Sequence, residues 1–225
     1  MTTPSEAGGA RPSEGEQTAE TRALPSLAIG YLATVYACAA GAGGLAVAFS
    51  GHPSAVQFAA FAVLSALAAA AQLFKVDAPN RHSYHTTPAF LFAAVLLLEP
   101  SLLVALALLI LLPEWLRYRY PWYIQTFNIG TYLVNAVTAA AVFHAVAGQS
   151  GLSVAWDVAL ATGLAAVAFT LTNHVMVGLV LWLARGIPFR KSQVLAWDSL
   201  EMDTTLLFLG AGITGARARG QRPAD

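Results

Sequence analysis

Two histidines three residues apart, His82 and His85, lie in the polar run Asn80-Arg81-His82-Ser83-Tyr84-His85-Thr86-Thr87-Pro88 and are the first candidates for chemistry. On a helical turn that spacing puts both imidazoles on one face, where they could take a metal or titrate near neutral pH. A metal site still needs a third ligand, so none is assigned. The preferred reading is a polar interfacial loop, with Thr86 or Thr87 capping the next helix and Pro88 in its first turn. Glu99, ahead of Pro100, is either a proton- or cation-binding carboxylate in a cavity or a solvated turn charge. Asn128 and Asn135 are seven apart and share a helix face. Asn173-His174 sits in the middle of a long apolar run, where a buried imidazole could report on pH or hold a polar ligand. With His144, these are polar groups at membrane depth, costly to bury and candidates for ligand binding by default. Structural glue is the leading explanation for the asparagines, because interhelical hydrogen bonds in lipid contribute about 0.6 kcal/mol each.

No soluble-type catalytic signature accompanies them. The chain has no GxxxxGK[ST], no GxGxxG between strand and helix, no GxSxG, no HExxH and no His-Asp doublet. No enzymatic activity and no cofactor are therefore expected. Across 225 residues, 57% are hydrophobic and 11% charged, where a soluble domain carries about 25% charged residues. So few charges cannot cover a globule, and the lipid bilayer is the implied partner. The formal net charge of +0 supplies no field for nucleic acid. The single cysteine, Cys38, can form neither an intrachain disulfide nor a thiolate zinc site.

The elements that position these residues follow from length. A helix needs roughly 20 apolar residues to cross the hydrocarbon. Segments 27–49, 55–74, 124–147 and 155–184 meet that requirement. Segment 87–113 is divided by Glu99-Pro100-Ser101 into two short arms, either one kinked helix or a hairpin. Positive charge decides for the hairpin: only then do Arg117/Arg119 and Arg185/Arg190/Lys191 share a side with Lys75, Arg81 and the N-terminal arginines. The arms are either tilted thin spans or a re-entrant pair shielded by neighbouring helices. The expected class is an all-α integral membrane bundle of about six segments, with the N-terminus cytoplasmic in the cell membrane. A disordered tail (1–25) precedes the helical domain (26–216), and a basic tail (217–225) follows it. The run from Thr204 to Ala216 is half a span. Its trailing arginines would break the charge rule if it crossed, and it reads as the truncated or frame-shifted end of a longer protein or, alternatively, as a short interfacial helix with an ordinary basic terminus. Trp115 to Tyr123 alternates aromatic rings with arginines, as at headgroup level. Glu114 and Arg117 have the spacing of a surface ion pair.

One order of features is shared with known proteins. Thr86-Thr87 leads into a short apolar arm, Glu99-Pro100 turns into a second arm, and a basic aromatic loop holds Arg117 and Arg119. Phe127-Asn128 then opens a long helix, and a later span carries Asn173 and ends at Arg185-Gly186. Over roughly residues 27–215 this resembles the N-terminal multi-pass membrane region found ahead of HD-GYP phosphohydrolase and GGDEF diguanylate cyclase domains in many bacterial proteins. The resemblance implies a non-catalytic sensory or anchoring input module, whose partners would be a cytoplasmic signalling domain or a second copy of itself. The alternative expectation is a transport component that binds a small solute, since short hairpin arms and buried Asn and His are features of interrupted-helix transporter sites.

Overall fold

The computed structural model describes residues 24–73, 76–77, 83–84, 86–119, 121–149, 153–192, 204–205, 207–209 and 211–212. His82 and His85, residues 1–23 of the expected tail and the basic tail at 217–225 lie outside them. The described chain forms α1 (Ser26–Ala48), α2 (Ala55–Leu73), α3 (Thr87–Leu97), α4 (Pro100–Leu109), α5 (Leu112–Tyr118), α6 (Trp122–Val146), α7 (Val154–Arg185) and α8 (Phe189–Ser192). A two-residue antiparallel ladder, β1 (Val76–Asp77) with β2 (Ser83–Tyr84), links α2 to α3. The protein is an all-α bundle. Among the described residues, five helices are long and apolar enough to cross a membrane, α4 and α5 counting together as Pro100–Arg117, and α3 is a shorter apolar helix.

The segment expected as a hairpin is one, and its local cause is proline. A residue preceding proline is pushed out of the α region, and Glu99 accordingly has ψ 148°. Leu98 beside it is also extended, with ψ 147°. Two consecutive extended residues separate the helices, and Pro100 starts α4 without losing a hydrogen bond, since a first-turn N–H has no intrahelical acceptor. The Ser101 N–H donates to Ser50 Oγ at 3.1 Å, and the Ser50 hydroxyl donates to Ser101 Oγ at 2.9 Å, so the tip is fastened to the α1–α2 loop. From there α4 runs back along α1. A Cβ on Gly43, seven residues before Ser50, would lie 3.8 Å from Val104 Cγ1. At the far end, Gln125 near the start of α6 donates through Nε2 to the Leu111 carbonyl at 2.8 Å.

Helices α1, α3 and α6 therefore run one way, and α2, α4 and α7 the other. One end of the bundle, here the basic face, carries every Lys and Arg among the described residues: Arg117, Arg119, Arg185, Arg190 and Lys191. Trp156 and Trp182 are both exposed, near the two ends of α7. They are separated by about 39 Å of helix, close to the overall thickness of a bilayer of about 40–45 Å, at whose interfaces indole rings are enriched. The surface between them is apolar, with Val158, Leu160, Leu164, Val167, Leu171 and Val175 all exposed, as a lipid-facing wall requires.

Helix α3 is the centre of the bundle. Leu91, Phe92, Ala93, Ala94 and Val95 are consecutive and all buried, and α2, α4 and α6 pack around them. The Phe92 ring meets Phe169 of α7 edge-on, at 6.1 Å between centroids. A helix apolar on every side is stable only when it is surrounded. Of the two expectations for the arms, α3 is thus the shielded one. The described pieces of the 204–216 stretch are helical, and Leu207 buries itself in the main core.

Three local expectations are corrected. The long helix holding Asn128 begins at Trp122, because Pro121 serves as its N-cap, and Phe127-Asn128 falls in its second turn. Thr86 occupies the N-cap of α3 with αR backbone angles and makes no side-chain cap bond, while Pro88 does lie in the first turn. Glu114 is buried under the packing of α5 on α2 and is not a surface carboxylate.

Candidate functional site

The α6–α7 pair carries most of the polar candidates. Gly148 and Asp157 meet at one end, where the Gly148 N–H donates to the Asp157 carboxylate, and the helices then run antiparallel into the bundle. That register places Asn135 of α6 opposite Asn173 of α7, and the Asn135 Nδ2 donates to Asn173 Oδ1 at 3.1 Å. Asn135 is fully buried and Asn173 half-buried. His174 is also buried, one residue along α7, and Thr170 lies one turn before it on the same face. Two candidates read separately along the sequence are thus in contact at mid-depth, with an imidazole beside them.

Asn128 is half-buried, two turns from Asn135 toward the basic face. Glu99 is elsewhere: its Oε2 accepts from the Gly51 N–H at 3.3 Å, at the hairpin tip on the face opposite the arginines. A carboxylate tied to a loop amide at the surface matches the turn-charge alternative, and it is not brought to the asparagine pair. His144 stands toward that same end of α6, with its ring 5.5 Å from Phe143.

Close helix approach holds the pair in place. Gly130 faces α1, where an added Cβ would lie 3.2 Å from Val35 Cγ1 and 3.7 Å from the Ala39 Cβ. Tyr31 of α1 reaches across to donate to the Met176 carbonyl on α7 at 3.0 Å, and Tyr36 meets the Thr126 hydroxyl of α6 at 2.7 Å. Gly186, with φ 67°, ends α7 in the left-handed conformation that L side chains avoid. The chain then turns back, and α8 lays the Phe189 ring over Gly178, where an added Cβ would collide with the ring.

Several buried polar residues escape a reading by motif. Gln72, Thr87, Gln125 and Thr131 are each almost completely buried. Gln125, Asn128, Thr131 and Asn135 recur at spacings of three, three and four along α6, which confines them to an arc of about 120° at 100° per residue. That periodicity was the available signal. Among the described residues no group of three or more His, Cys, Asp or Glu could hold a metal ion.

The arrangement offers neutral amides, hydroxyls and one imidazole, which suit hydrogen bonding to an uncharged or weakly polar partner. Expected behaviour under mutation follows. Asn135→Ala and Asn173→Ala are each expected to cost about 0.6 kcal/mol and at most about 2, with a coupling energy of similar size in a double-mutant cycle read by unfolding in mixed micelles. Additive losses would mean that the 3.1 Å contact is not formed in lipid.

Comparison with known proteins adds no identity to this geometry: no protein-family model, no curated protein and no solved structure matches the chain.

Proposed function

We propose that the chain is a non-catalytic input or anchoring module of a bacterial signalling protein, of the kind that precedes HD-GYP and GGDEF output domains. In this reading it sits in the cell membrane with its N-terminus and basic face cytoplasmic, and acts on a cytoplasmic signalling domain or on a second copy of itself. The observation that carries it is the build of α7. This single helix of 32 residues holds the half-buried Asn173 and the buried His174 near mid-depth and the basic Arg185–Lys191 turn at its end. A rod about 48 Å long transmits a change of packing at mid-depth to the basic face, and Phe189 against Gly178 registers it there. A ligand or bilayer change acts by favouring one packing of α6 on α7 over another.

The test is amide hydrogen exchange of Phe189–Ser192 in nanodiscs. Replacing Asn173 and His174 together by Leu is expected to raise exchange in that segment several-fold, and Gly178→Val, which evicts the Phe189 ring directly, should reproduce the effect. Unchanged exchange in the double variant, with Gly178→Val still active, would sink the coupling. Reporter fusions after Ser50, Ser101, Tyr118 and Lys191 check orientation, with the last two expected to be cytoplasmic. Saturable accumulation of a solute by proteoliposomes would favour a transport component instead.

A further inference from the structure

Buried polar atoms without a protein partner are not scattered evenly through the described bundle. They include Gln72 Nε2 and Oε1, Thr87 Oγ1, Gln125 Oε1, Thr131 Oγ1, Asn135 Oδ1 and, at mid-depth on α2, Ser65 Oγ. Apart from Ser65, all lie between the basic face and the middle of the bundle. The antiparallel ladder of Val76–Asp77 with Ser83–Tyr84 joins the end of α2 to the start of α3, and the two helices pack against each other, with Gln72 in the last turn of α2 and Thr87 in the first turn of α3. Gln72 and Thr87 therefore flank the same mouth between α2 and α3. Helix α5, which packs on α2, follows directly from Leu111, whose carbonyl holds Gln125, so the start of α6 comes to that mouth as well. From Gln125 the next unpartnered groups are Thr131, about 9 Å further along α6, and Asn135, about 6 Å beyond it.

The other half of the bundle is built differently. Its buried Asp157 is met by the Gly148 N–H, and the buried positions of α6 and α7 around it include Ala139, Ala140, Ala161 and Ala165. Amide and hydroxyl groups are rarely left unmet in a protein interior, and where protein supplies no partner, ordered water with two to four polar contacts does. Lipid supplies none. The unpartnered groups themselves are neutral amides and hydroxyls, which suits water.

We propose that the basic-face half of the bundle holds a file of internal water, entered between Gln72 and Thr87 and running along α6 past Gln125 and Thr131 to the Asn135–Asn173 pair. The file stops at the alanine layer around Ala139 and Ala165, so water reaches the middle of the membrane from one side only. The inference stands apart from the signalling reading and survives its failure.

Water-edited solid-state NMR of the wild-type protein in lipid bilayers tests it, by timing magnetisation transfer from water to individual side chains. Thr131 and Asn135 are expected to receive it several-fold faster than Ala139 and Ala165, which are equally buried. Transfer to Thr131 and Asn135 as slow as to the two alanines would overturn the proposal on the wild-type protein alone. In Thr131→Val, transfer to Asn135 is expected to slow markedly while Thr87 keeps its rate. An unchanged rate at Asn135 in that variant would overturn the route along α6.

Discussion

Phe92→Ala is expected to destabilise the bundle by about 3 kcal/mol, toward the lower end for Phe truncations in protein cores. In lipid the gain from removing apolar surface from water is absent between helices, and packing carries the load. Phe92, however, faces protein on all sides: it is completely buried, α2, α4 and α6 surround its helix, and its ring meets the edge of Phe169. A truncated side chain there leaves a void that lipid tails cannot enter, and the dispersion contacts of the ring are forfeited outright. Unfolding in mixed micelles measures the loss. Phe92→Leu, which keeps most of the volume, should cost under about 1.5 kcal/mol. An alanine variant as stable as wild type would mean that α3 is not enclosed.

The second large effect concerns the seam between α1 and α6. Gly130→Leu places an isobutyl group where a bare Cβ already meets Val35 Cγ1 at 3.2 Å. Overpacking of this kind costs typically about 1–3 kcal/mol in cores, and here it forces apart two long helices whose contact depends on small residues. Gly43 makes the matching close approach from α1, where its added Cβ would lie 3.2 Å from Leu133 Cδ2. Gly130→Ala should cost much less, since only a few tenths of an ångström must be yielded by Val35. Unfolding of the two variants beside wild type checks the graded order, and equal stability of Gly130→Leu and wild type would place the seam elsewhere.

Much of this architecture was legible because a membrane simplifies the code. Four long runs free of Lys, Arg and Glu could only be spans, and each appears as a helix within a few residues of its expected ends. The hairpin was legible from two separate sources, the Glu99-Pro100 break and the side on which the arginines fall. What was not legible is which arm lies inside. The sequences of α3 and α4 are both apolar all round, so no periodic face distinguishes the enclosed helix from its neighbour, and only the tertiary packing of α2, α6 and Phe169 decides. The candidate site was half legible. Asn135 and Asn173 stood out as polar residues at depth, but their contact depends on an interhelical register that neither segment encodes alone. Gln72 closes an alanine run and so passes for a helix end, and Thr87 passes for a cap, whereas both are buried. Phe189 against Gly178 could not be foreseen, because it depends on the reversal at Gly186.

The enclosure of α3 also constrains the order in which the molecule can be made. Eleven residues give a rod of about 16 Å, too short to be retained by about 30 Å of hydrocarbon on its own. Its walls include α6 and Phe169, which leave the ribosome well after it. The enclosure of α3 is therefore completed only after α6 and α7 have been made.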